Sequence, residues 1–150
     1  MKRASTSKAR RASFRRVLVT ATAGAIALVP AIAFAATLHV DARNSGSERG
    51  DEKAPFRTVG GALAKASSGD TIKVAAGTYE GALRIDGKGI ALLGGFTGAP
   101  TTAYASGQSG DFGTADGIKT VTHLRGTKSA GVVTLHNAEG TRVDGFRITG

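Results

Sequence analysis

Two short stretches carry the side chains best suited to chemistry. "RIDG" at Arg84 to Gly87 returns as "RVDG" at Arg142 to Gly145, 58 residues further on. In each, an arginine stands two positions before an aspartate and a glycine follows. On an extended strand that spacing puts Arg84 with Asp86, and Arg142 with Asp144, on one face, while Ile85 and Val143 point to the other. A guanidinium is built to grip a carboxylate with two parallel hydrogen bonds, and aspartate suits a hard cation such as calcium. If the two stretches occupy equivalent strands of a repeating structure, Arg84 aligns with Arg142 and Asp86 with Asp144. The plainer reading of the same rows is a solvated ion-pair ladder that keeps an outer wall soluble.

The other polar groups are less organised. "DARNSGSERGDE" offers Asp41, Asn44, Asp51 and Glu52, and "GDFGTADG" offers Asp111 and Asp116. Neither has the alternating aspartates and glycine of a dedicated calcium loop, so both are expected to be solvated turns. Asp70, after Gly69, is expected to finish a helix-to-strand turn. Tyr79 reads as a packing residue with its hydroxyl at the rim, and Glu80 as outward and free. His39, His123 and His136 lie on separate segments without the paired spacing of a zinc site. There is no Gly-x-Ser-x-Gly elbow. "GALRIDGKG" has the wrong glycine spacing for a phosphate loop and no Ser or Thr after Lys88.

The elements that must position these groups are short. Leu38 to Val40 reads as a first strand. In "PFRTVGGALAKASSGD", Thr58 caps a helix whose apolar face is Val59, Ala62, Leu63 and Ala66, with Gly69 as its left-handed terminator. The Gly60-Gly61 pair weakens that helix, so tertiary contact must hold it. From Thr71 onward come apolar runs of three to five residues split by glycine: "TIKV", "LRI", "IALL", "TVTHL", "VVTL", "TRV" and "FRIT". The chain has 22 glycines and only 5% aromatic residues, which suits a thin core lined by Val, Ile and Leu. Residues 97–117 have no periodicity and read as an inserted loop.

Charge and leader bound the compartment. Seven of the 20 basic residues precede Val17, and no acid appears before Asp41, so the remaining 13 bases nearly balance 11 acids. The net charge of +9 describes the leader, and it gives no ground for a nucleic-acid partner. A basic stretch, the apolar run "VLVTATAGAIALVPAIAFA" and the small residues of "AFA" read as a secretory signal over 1–35, cleaved after Ala35. "RRVLV" has the look of a twin-arginine signal. The expectation is an exported protein that meets the membrane only through that segment. It has no cysteine to make disulfides, so packing and hydrogen bonding must supply its stability.

"PFRTVGGALAKASSGDTIKVAAGTYEGALRI" resembles the opening of bacterial secreted right-handed parallel β-helix proteins, with a Pro-aromatic-basic-Thr helix cap, a Gly-Asp-Thr-Ile strand and a Gly-Thr-Tyr turn. "LLGGFTGA" and "VDGFRITG" look like coil motifs of the same group, and the likeness spans about Leu38 to Gly150. It implies an all-β fold: a right-handed parallel β-helix over 36–150, with a short capping helix at its start and further coils expected after Gly150. Such coils are stabilised by stacking, about 4.8 Å apart, with backbone groups pairing along the axis. Some families of this kind are polysaccharide lyases, in which carboxylates hold calcium against a uronate and Arg or Lys takes the proton. The resemblance therefore implies binding or cleavage of an acidic polysaccharide, with Arg84 and Arg142 toward the sugar acid and Asp86 and Asp144 toward calcium. The competing expectation is a non-catalytic, adhesin-like surface rod. Fold alone decides neither.

Overall fold

The computed structural model describes residues 34–116, 120–127 and 131–150. The expected leader over 1–35 lies outside them except for its last two residues, and so does Gly117 of the inserted loop. Among the described residues no helix is long and apolar enough to cross a membrane.

The period-two alternation after Thr71 forms strands, and all of their pairings are parallel. β1 (Thr37–Val40), β2 (Thr71–Ala75), β5 (Ala91–Phe96) and β8 (Arg142–Asp144) make the first sheet. β3 (Gly77–Glu80), β6 (Thr122–Arg125) and β9 (Phe146–Thr149) make the second. β4 (Leu83–Asp86) and β7 (Val133–His136) make the third. From β2 onward the chain visits the first, second and third sheets in turn, and then begins again. The protein is thus all-β in character, with strands in parallel sheets and few helices. "GTYE", read as a turn in the sequence, is the strand β3: Tyr79 pairs with Leu124 and points inward.

Each circuit contributes one inward residue to each apolar column. Leu38, Ile72, Leu92 and Val143 are consecutive partners in the first sheet; Tyr79, Leu124 and Ile148 in the second; Ile85 and Leu135 in the third. Ile72, Ile85 and Leu92 are fully buried. Burial of such a side chain is worth about 1.5–3 kcal/mol, so a core with few aromatics suffices when every rung adds several of them. Leu135 and Ile148 point inward too, yet remain 52% and 49% exposed, because no described residue stacks on the last circuit.

α1 (Val59–Lys65) packs Val59, Ala62 and Leu63 into this core. Thr58 caps it as expected, its hydroxyl accepting from the Gly61 amide at 3.1 Å. The helix stops earlier than its apolar face suggested, since Ala66 is already extended. Lys88 closes this end, donating to the carbonyls of Leu63 at 2.6 Å and Ala66 at 2.8 Å. Gly69, at φ 91°, belongs to the turn that follows. Asp70 does finish that turn, accepting from the Ser67 and Ala36 amides.

The segment read as an inserted loop packs, as far as Asp116, as a layer on the outside of the first sheet. Register shifts between Lys73 and Ala75, so that Ala75 pairs with Phe96 and β5 carries an extra residue. Such a bulge re-aims the side chain after it. Phe96 joins Ala75, Leu93 and Phe112 in a separate apolar cluster. α2 (Thr101–Ala105) buries Ala103 and Tyr104, and Gly98 bridges to Asp111.

That layer is held by the first acidic loop, where Asp51 and Glu52 are exposed as a solvated turn would have them but Asp41 and Asn44 are buried. Asp41 is 0% exposed. Its carboxylate accepts from the Arg43 guanidinium twice at 3.0 Å and from the Arg43 amide at 2.9 Å. It also accepts from the Tyr104 hydroxyl at 2.7 Å and the Ala99 amide at 3.1 Å. Asn44 is buried beside it, its amide donating to the carbonyls of Ser47 and Pro55. Burial, then the bond to Asp41, pushes the Tyr104 phenol well above its ordinary range. Tyr79 is likewise internal, its hydroxyl donating to the Ala75 carbonyl at 3.0 Å and accepting from the Ala42 amide.

Candidate functional site

The two Arg-x-Asp stretches do not stack on one another. Arg84 and Asp86 lie on β4 in the third sheet, where Arg84 is opposite Thr134 and Asp86 is opposite His136 of β7. Arg142 and Asp144 lie on β8 in the first sheet, opposite Ala91 and Leu93. The expected alignment of Arg84 with Arg142, and of Asp86 with Asp144, is therefore incorrect. The reason is local. A strand followed by a left-handed glycine recurs at the corners of a circuit, and Gly87 at φ 65° and Gly145 at φ 76° share that turn. An echo of this kind identifies a corner without saying which sheet leads into it.

On the third sheet three charged or titratable groups meet in the open. Arg84 Nη2 donates to Asp86 Oδ2 at 2.8 Å, and His136 Nδ1 lies 2.7 Å from Asp86 Oδ1. The hydrogen bond from His136, then that from Arg84, holds the Asp86 carboxyl below its ordinary range. Beside them a groove of about 440 Å³ runs between α1 and β4. Gly60, Leu63 and Ala64 form one wall, and Leu83, Arg84 and Asp86 the other.

On the first sheet Arg142 Nη2 donates to Asp144 Oδ2 at 2.6 Å. That contact, followed by the Gly145 amide, keeps the Asp144 carboxyl below its ordinary range. A second groove of about 320 Å³ places these two residues beside Leu93, Phe96 and Ala115. In both places a guanidinium stands at the edge of an apolar floor. A sugar ring offers apolar C–H faces and a sugar acid offers a carboxylate, so such an edge can take both.

Calcium fits less well. It takes six to eight oxygen ligands, whereas Asp86 and Asp144 belong to different sheets and each already accepts from its own arginine. Among the described residues no group of three or more His, Cys, Asp or Glu side chains is placed to hold a metal ion.

His39, His123 and Glu80 each have a partner of their own. His39 is buried against the edge of Phe112, ring centroids 4.7 Å apart, with Nδ1 3.2 Å from the Gly50 carbonyl and Nε2 3.7 Å from Glu52. Burial lowers its pKa. His123 Nε2 meets the Thr149 hydroxyl at 2.7 Å. Glu80 is outward as expected but not free, since Arg125 Nη1 approaches it to 3.6 Å. Sequence reasoning missed His136 as a partner of Asp86. Nothing in the order of residues marks that pairing, because it exists only through the register of β4 on β7.

No curated protein and no solved structure matches the chain. The model of a family described as a protein of unknown function, DUF1565, does match it, over residues 42–150. That match takes in both Arg-x-Asp pairs, both grooves and eight of the nine strands, and by it the chain belongs to the DUF1565 family.

Proposed function

We propose that this chain is an exported right-handed parallel β-helix whose outer wall binds an acidic polysaccharide. The winding is supported by the strictly parallel pairing and the cyclic visiting of three sheets, since parallel crossovers are right-handed in roughly 98% of cases. Export is supported by the basic-apolar-small order of the leader. The observation that carries the binding reading is the repeated pairing of an exposed arginine with an apolar-floored groove, at Arg84 and again at Arg142.

Titration with polygalacturonate or alginate, followed by calorimetry or affinity electrophoresis, tests it against neutral dextran. Binding to the acidic polymers alone, weakened in Arg84→Gln and Arg142→Gln and by added salt, is the expected result. Equal retention by dextran, or none by either polymer, overturns it. Cleavage is read in the same samples as new ultraviolet absorbance from unsaturated uronides. A second reading, a non-catalytic surface rod, draws support from one observation: each of these arginines is already paired with the aspartate two residues along. Retention of neither polymer, with no new absorbance, favours that reading.

A further inference from the structure

Gly60 and Gly61 both stand inside α1, where glycine is unfavourable, and the fold accounts for only one of them. A Cβ on Gly61 would come within 3.1 Å of the Thr58 hydroxyl that caps the helix and 3.7 Å of the Phe56 ring. A Cβ on Gly60 would meet nothing within 4 Å, and the residue is exposed with no left-handed backbone to require it. What Gly60 does have is a position on the wall of the groove between α1 and β4, with Leu63, Ala64 and Leu83 as its apolar surface and Arg84 at its edge. At about 440 Å³ the groove lies within the range of roughly 300–1,000 Å³ common for small-molecule sites.

Two cationic residues, Arg84 and Lys88, and one carboxylate, Asp86, line it, and His136 also contacts that carboxylate. The exposed cation among them, suited to an anion, is Arg84. Lys88 directs its ammonium to the helix carbonyls. Arg84 binds Asp86 through one terminal nitrogen, Nη2, and a guanidinium has five N–H donors in all.

Resting on the reading of acidic-polysaccharide binding above, we infer that this groove is a subsite for one uronate residue, that Arg84 receives its carboxylate, and that Gly60 is kept side-chain-free to admit the sugar ring. The fold then tolerates a poor helix former at Gly60 for the sake of access. Filling the position with a larger side chain closes the groove while improving the helix.

The test uses the full chain with Gly60→Ala and Gly60→Leu, and with Arg142→Gln as a variant of the other groove. Binding of trigalacturonate and of uncharged maltotriose is measured by calorimetry, and each protein is melted. Gly60→Leu is expected to bind trigalacturonate about tenfold more weakly and to melt at the same or a higher temperature, with Gly60→Ala between it and the parent. Unchanged affinity in Gly60→Leu, with the parent and not Arg142→Gln binding well, overturns the subsite and leaves the broader reading standing. A lower melting temperature in Gly60→Leu overturns it too, by showing that the fold needs the glycine. If the parent itself binds no trigalacturonate, the broader reading fails with it.

Discussion

Asp86 and His136 face each other across β4 and β7, Oδ1 to Nδ1 at 2.7 Å, although 50 residues separate them in the chain. Because the His136 and Arg84 contacts lower the Asp86 pKa, the carboxylate binds its proton less readily folded than unfolded. Its contribution to stability is present above the unfolded value, about pH 4, and is lost as pH falls through the folded one. Asp86→Asn is expected to lower the melting temperature slightly at neutral pH, where the carboxylate's contribution is fully present, and to converge on the parent as pH falls below about pH 4. A profile that superimposes on the parent's would show that the pair adds nothing.

Asp41 is the opposite kind of ion pair. It is buried, and the Arg43 guanidinium, the Tyr104 hydroxyl and the Arg43 and Ala99 amides converge on its two side-chain oxygens. Only the Asp41 end is dry, since the Arg43 side chain is 39% exposed. Asp41→Ala therefore leaves the buried Tyr104 hydroxyl and Ala99 amide unpaired, and should lower the unfolding free energy in urea by about 1–3 kcal/mol for each. Tyr104→Phe loses one bond to a charged group and should cost about 1.5–3 kcal/mol.

Gly94 and Gly145 lie on adjacent circuits, so close that a Cβ on Gly94 would fall 2.5 Å from the Gly145 carbonyl oxygen. Backbone cannot step aside as a long side chain can. Gly94→Ala is expected to cost about 1–3 kcal/mol and to speed amide hydrogen exchange in β8 and β9 before it affects β1 and β2. Uniform exchange would argue against a local clash.

Position in the stack should decide the worth of an inward apolar residue. Leu92→Ala, in a fully buried column, is expected to cost about 2–5 kcal/mol. Leu135→Asn and Ile148→Asn, half exposed at the uncovered circuit, should change stability by only about 0.5 kcal/mol. Chemical denaturation of the three variants makes the comparison. Equal losses would mean that the last circuit is covered.

The strands were legible in the sequence wherever side chains alternate between a dry and a wet face. β2, β4, β5, β6, β7, β8 and β9 fall on the apolar runs between glycines, and the cap of α1 was legible in Thr58. β3 escaped because a single inward residue, Tyr79, does not make an alternation. The outer layer on the first sheet escaped for a related reason: one bulge in β5 reverses the side on which Phe96 falls, and periodicity assumes that no residue is added.

Which side chains could do chemistry was written in residue types and short spacings. Two positions apart on a strand means one face, so Arg84 with Asp86 and Arg142 with Asp144 could be paired from the sequence, and both pairs form. Neighbours across a sheet are set by another condition, namely how many residues each circuit takes to return to the same side. That count depends on turns, bulges and the layer formed by residues 97–116, whose lengths follow no period. Only the folded chain decided that Asp86 meets His136, that Asp144 lies a sheet away, and that Asp41 is sealed inside.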